Sequence, residues 1–182
     1  MMKVFAMITN GTEEVECLAV VDILRRAGID TVLVGVGGKT VVSSHGVTVT
    51  ADVEIDDVDF LDADVIFVPG GMPGTKNLAA CGKLIDALKI QDKANKRIAA
   101  VCAAPSLVLG ANGFLKGKKA ICFPGMEDNM LDATVVTGAR VVTDGNITTA
   151  RGLGCSIELG LELVRLLLGE DKAAEIKGKI QF

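Results

Sequence analysis

The chain has 182 residues, 49% of them apolar and 23% charged, and a formal net charge of −4. It is long enough to bury a core without disulfides, and it lacks the basic excess of a nucleic-acid-binding surface. No charge-free apolar run approaches the roughly 18 residues of a membrane-spanning helix. The N-terminus MMKVFAMITNGTEE has no secretory apolar region, which makes the cytoplasm the default location.

In chain order, Lys3 to Ile8 reads as a strand closed by an Asn10-Gly11 turn, and Glu13 to Ala27 has helical periodicity that Gly28 stops. Thr31 to Val36 is a β-branched run of the kind found in buried parallel strands. The stretch TVVSSHGVTVT that follows reads as a small hairpin. Asp64 to Val68 is a second buried strand, ending in the turn PGGMPG, and Leu78 to Ala94 is helical with a break near Gly82. Arg97 to Val101 is a strand, Pro105 to Leu109 opens a helix, and Lys118 to Cys122 is a further short strand. Thr134 to Ala150 alternates around an Asp144-Gly145 turn, Cys155 to Leu168 is an apolar helix, and the tail adds a last one. This alternation predicts one α/β domain over residues 1–182, a mostly parallel sheet with helices on both faces.

The five cysteines form no CxxC pair and match no common zinc spacing, so most are expected to be buried reduced thiols, with no metal and no cofactor. The first turn, ITNGTEE, has one glycine where a dinucleotide fingerprint needs three, and its glutamates repel a pyrophosphate. VPGGMPG follows a buried strand and therefore lies at the carboxyl edge of the sheet, where open α/β folds place ligands. Its paired glycines serve either a tight turn or backbone N–H groups aimed at an anion.

Cys102 stands between the strand RIAAV and the sequence AAPS. Small flanks and a proline in the first helical turn suit a nucleophile lifted on a strand-to-helix elbow. The amides of the new helix should favour thiolate there. A small buried hydrophobe at a crowded junction is the alternative. Glu16 heads the apolar stripe Ala19, Val20, Ile23 and Ala27, which places a carboxyl group on the buried face of its helix. Protonated, it could donate a hydrogen bond to a nearby thiolate, and its own pKa would rise. The single histidine, His45, lies in the SSHG turn. A solvent-facing turn residue is its plainer reading, since a Cys–His dyad needs it to fold back over Cys102.

Five segments together, GTEEVE (Gly11–Glu16), VDILRRAGI (Val21–Ile29), VPGG (Val68–Gly71), AAVCAAPS (Ala99–Ser106) and ARGLGCS (Ala150–Ser156), resemble the DJ-1/PfpI family, more narrowly its DJ-1/YajL/ThiJ-like branch. The resemblance implies a flavodoxin-like, class I glutamine amidotransferase-like sandwich that forms a homodimer. It places the reactive cysteine on Cys102 and its acidic partner on Glu16, with pocket amides from Gly71 and Ala103 beside Gly70. Arg151 and Gly152 fall in the surroundings of the site.

Three departures narrow the resemblance. Ala103 replaces the histidine of the protease-like branch, which argues against peptidase activity. Phe123 stands where animal members have a histidine, and His45 roughly where they have an arginine. The activities implied are glyoxalase action on methylglyoxal or glyoxal, deglycation of early adducts on a side chain, oxidative-stress sensing and chaperone action. An older label ties ThiJ-like chains to thiamine biosynthesis, a less favoured alternative that nothing in these residues requires.

Overall fold

The computed structural model describes residues 2–182. Its frame is a seven-stranded sheet ordered β10-β11-β7-β6-β1-β2-β5. The strands are β1 (Lys3–Thr9), β2 (Asp30–Val36), β5 (Val53–Glu54), β6 (Val65–Val68), β7 (Arg97–Val101), β10 (Val141–Asp144) and β11 (Ile147–Ala150). All neighbours run parallel except β10 and β11, which form a hairpin across the Asp144-Gly145 turn. The helices are α1 (Glu14–Arg26), α2 (Gly74–Ala79), α3 (Gly82–Lys93), α4 (Ser156–Leu168) and α5 (Glu170–Lys179).

Strand periodicity divides the apolar residues between two cores. Phe5 and Met7 of β1, Ile66 and Val68 of β6, and Ile98 and Ala100 of β7 face α2, α3 and Val108–Leu109. Their alternate neighbours Val4, Ala6, Ile8, Val65, Phe67, Ala99 and Val101 face α1, α4 and α5. Each large aliphatic side chain buried this way stabilises the fold by about 1.5–3 kcal/mol. Gly160 lets α4 close on α1, because a Cβ there would lie 2.9 Å from Ile23 Cδ1. The result is an α/β sandwich of the flavodoxin-like kind. Among the described residues, no helix is long and apolar enough to cross a membrane.

The predicted hairpin is present as β3 (Thr40–Val42) and β4 (Thr48–Thr50). The expected break near Gly82 separates two helices, and α2 begins earlier than the apolar pattern suggests. Its first turn closes on the glycine turn itself, where Thr75 Oγ1 donates to Gly71 O at 2.8 Å. The strand expected over Lys118 to Cys122 is shorter. Only β8 (Lys119–Ala120) pairs, in a separate two-stranded ladder with β9 (Thr134–Val135). It is tied to the main sheet through side chains, Ile121 N–H donating to Thr149 Oγ1 at 2.9 Å. The helical segment Pro105–Gly110 is wound wide, with Ala111 N–H reaching back five residues to Ser106 O at 3.0 Å.

Candidate active site

Chain order β2-β1-β6-β7-β11 reverses direction beside β1, and ligands of open α/β sheets collect outside the carboxyl ends of strands at such a point. Three connections meet there: Asn10–Glu13 after β1, Pro69–Pro73 after β6, and Cys102 after β7.

Cys102 sits on a strained elbow. Its φ is +64°, a left-handed conformation that costs an ordinary L-residue about 1–2 kcal/mol. Both of its backbone groups are pinned, the N–H donating to Ala150 O at 3.0 Å and the carbonyl accepting from Phe123 N–H at 2.8 Å. The amides of Ala103 and Gly71 both point at the sulfur. The half-buried thiol is thus held at the sheet edge.

Glu16 is 1% exposed although charged by type. Its Oε2 accepts the Gly70 N–H at 3.0 Å, a well-directed bond, and the carboxyl also faces the Cys102 thiol and the Leu153 amide. Glycine at position 70 is required by space, since a Cβ would overlap Glu16 Oε2 and lie 2.6 Å from Cys102 Cβ. One backbone position therefore sets the separation of the carboxyl group and the thiol.

Burial pushes the Glu16 carboxyl up to about 7, aided by the nearby Glu13 charge and opposed by hydrogen bonds from Cys102, Gly70 and Leu153. Burial, then the Glu16 charge, pushes the Cys102 thiol up to about 12, and the Ala103 and Gly71 amides only partly offset this. The expectation that the helix-start amides favour thiolate is corrected here. Those amides are in place, but desolvation and a neighbouring carboxylate outweigh them. Between the two titrations the pair holds one proton in common. Cys17, fully buried and also raised to about 12 by burial, donates to Met7 O and has no such partner.

A cavity of about 370 Å³ opens over the sulfur, lined by Glu13, Ser44, His45, Gly71, Met72, Cys102, Ala103, Phe123 and Met126. His45, 69% exposed at its side chain, reaches the cavity rim through contacts with two carboxylates rather than with the sulfur. Donor atoms of Glu13, Glu14 and His45 lie within 4.8 Å of one another, a spacing at which they could ligate one cation. The Gly70 N–H is engaged by Glu16, leaving the sulfur to Gly71 and Ala103. Arg151 and Gly152 are not in this cavity. They line a neighbouring hollow of about 320 Å³ behind Phe123, whose ring lies 3.4 Å from where a Gly152 Cβ would stand.

Sequence reasoning missed Glu13. It caps α1, its Oε2 accepting the Glu16 N–H at 2.6 Å, and so fixes the helical turn that aims Glu16 inward. The signal was the spacing of Glu13 and Glu16, a cap residue and the third helical position. Ser44, Met72 and Met126 carried no such signal, because loops far apart in sequence bring them together.

Fold and site define an α/β sandwich with a strained cysteine elbow facing a buried carboxyl group. The chain belongs to the DJ-1/PfpI family, whose model matches residues 2–166. Protein DJ-1 homolog B of Arabidopsis thaliana is 37% identical over 179 residues, 98% of this chain, and the chain spans only 41% of that protein's length. A glutathione-independent glyoxalase of Caenorhabditis elegans is 32% identical over 167 residues, 88% of this chain and 85% of that protein. The solved structure of oxidized Toxoplasma gondii DJ-1 superposes with a TM-score of 0.95 at 33% identity, covering 100% of this chain and 99% of that one.

Proposed function

We propose that this protein is a cysteine-dependent enzyme acting on small reactive dicarbonyls such as methylglyoxal and glyoxal, or on their early adducts with protein side chains. The observation that carries the reading is the convergence of Glu16 and Cys102 on Gly70. Similarity to the nematode glyoxalase supports it.

With methylglyoxal, Glu16 takes the thiol proton as sulfur bonds to the aldehyde carbon, and returns that proton to the new oxygen to give a hemithioacetal. The amides of Gly71 and Ala103, directed at the sulfur, lie beside the oxygen as its charge develops. Glu16 then removes the hydrogen of the former aldehyde carbon as a proton and delivers it to the neighbouring carbonyl carbon, while the hemithioacetal hydroxyl proton passes to the neighbouring oxygen through the intervening enediol. The first carbon is oxidised and the second reduced, leaving a lactoyl thioester. Water hydrolyses this to lactate and restores the thiol, so no external oxidant is used. A carboxyl group near 7 suits repeated gain and loss of a proton at neutral pH. Lactate formation from methylglyoxal should vanish in Cys102→Ala, and a variant as fast as the parent overturns the reading.

A second reading, oxidative-stress sensing, is favoured by the partial exposure of the thiol and by the oxidized state of the Toxoplasma relative, while the raised pKa of Cys102 works against it by keeping the thiolate scarce at neutral pH. Mild peroxide should add two oxygens to the Cys102 peptide in intact-mass and peptide analysis, and no adduct at that peptide counts against it. Both readings include a homodimer, which the exposed apolar side chains of Val15 and Ile157 at the first turns of α1 and α4, and of Leu153 in the 3-10 turn before α4, support.

A further inference from the structure

The rim of the Cys102 cavity is acidic: Glu13 and His45 line it, and Glu14, just outside the lining, contacts His45. Glu13 and Glu14 are adjacent in sequence, yet both side chains are largely covered, 10% and 13% exposed, and both turn toward His45 Nδ1, at 3.7 and 3.4 Å. Glu13 Oε2 is taken by the Glu16 amide, which leaves Oε1 turned toward His45 at the rim. Ser44 Oγ lies 3.4 Å from Glu14 Oε2 and 3.1 Å from His45 Nδ1, and ties the hairpin turn to the helix start. No lysine or arginine lines the cavity, and Arg151 belongs to the hollow behind Phe123. With His45 neutral, the ionised Glu13 at the rim and Glu14 behind His45 together contribute two negative charges. With His45 protonated a net single negative charge remains, and Glu16 adds another when ionised. While the carboxylates are ionised, the net charge is negative with either form of His45.

We propose that Glu13 and Glu14 select the substrate by charge: the Cys102 site takes uncharged or cationic electrophiles and turns away those bearing a carboxylate or phosphate. The inference rests on the preceding reading for the reaction, but the selection acts on any electrophile approaching the sulfur. In a partly desolvated cavity a carboxylate next to an approaching anion shifts its local concentration by about tenfold, and salt reduces the effect where the rim meets solvent.

The test alkylates the reduced 182-residue chain, in the presence of EDTA, with uncharged iodoacetamide and anionic iodoacetate, following the Cys102 peptide. The uncharged thiol 2-mercaptoethanol supplies the reference rate ratio. The expected preference of Cys102 for iodoacetamide exceeds that reference by about tenfold in low salt and shrinks in high salt. Glu14→Gln, which leaves the Glu13 cap in place, should cut the preference about threefold, and adding Glu13→Gln should cut it further. A parent ratio equal to the reference overturns the proposal. So does a ratio that both variants leave unchanged, because the charge of Glu16 would then account for all of it. In a second arm, methylglyoxal should be consumed in preference to 4,5-dioxovalerate, an anionic 2-oxoaldehyde, by a wider margin than to an uncharged 2-oxoaldehyde of equal length. Equal consumption of the two longer compounds overturns the charge selection. Consumption of none of them overturns the reaction instead, and the alkylation ratios still decide the selection.

Discussion

Glu16 and Gly70 are fitted to each other: the Gly70 N–H donates to Glu16 Oε2 at 3.0 Å, and the absent Gly70 side chain leaves the space that this oxygen occupies. Gly70→Ala should push Glu16 and Cys102 apart while leaving the sheet beneath intact. Misplacements on the scale of an ångström cost about a hundredfold in rate. We expect kcat/KM for methylglyoxal to fall by about that factor with unchanged far-ultraviolet circular dichroism. A fully active Gly70→Ala protein would show that the spacing at this position is unimportant.

The raised pKa of Glu16 makes stability depend on pH with a definite sign. The ordinary value is 4.5 and the folded value about 7, so between them the folded chain binds more protons than the unfolded one. Stability contributed by protonated Glu16 is therefore fully present below about 4.5 and is lost as pH rises through about 7. The loss amounts to about 3 kcal/mol. Glu162 and Glu175 have lowered values and act in the opposite direction, so the informative quantity is the difference between parent and Glu16→Gln. Urea unfolding from pH 4 to 8.5 should show the parent losing ground to Glu16→Gln as pH rises. Parallel curves would contradict the assignment.

Backbone strain at Cys102 can be separated from its chemistry. Glycine adopts φ near +64° freely, whereas alanine does not. Cys102→Gly and Cys102→Ala should both be inactive, but the glycine variant should be the more stable by about 1 kcal/mol. For a chain of this size that is about 2–4 °C in Tm, readable by calorimetry. An alanine variant that melts at or above the glycine variant would remove the strain from the elbow.

The proposed homodimer predicts a response at Ile157, 37% exposed on the first turn of α4. Placing a charge there buries it in any interface that covers the patch. Ile157→Asp should sediment as a monomer under conditions where the parent sediments as a dimer. An unshifted dimer places the interface elsewhere.

What could be read in advance followed the reach of local pattern. The β-branched runs of β1, β2 and β6 and the alternation around Asp144-Gly145 exposed the sheet, because strand burial has period two and turns have their own residues. Glu16 was legible because a carboxyl group heading an apolar stripe breaks the helical pattern. The thiol's electrostatics were not legible. The elbow and its amides are local, but the desolvation that overrides them comes from the packed sheet and from Glu16, 86 residues away in the chain. His45 was ambiguous for the same reason. Only the docking of the hairpin turn, through Ser44 N–H donating to Thr12 O at 2.9 Å, carries it to the cavity rim. The short β8 was over-read, since an apolar run in sequence cannot reveal that its partner is β9 rather than the main sheet.

The glycine turn after β6 also governs which side of the cavity can give way. Glu13 N–H donates to Gly70 O at 3.0 Å and Gly74 N–H to Gly11 O at 3.1 Å, and side chains at Gly71 or Gly74 would collide with the Thr12–Glu13 backbone. The two loops interlock like teeth, so this wall cannot swing without lifting the start of α1. The opposite wall is held at the elbow only by Phe123 N–H on Cys102 O. Efforts to enlarge the entrance for bulkier glycated peptides should therefore randomise Phe123 and Met126, which do not take part in that interlock, and leave residues 69–74 untouched.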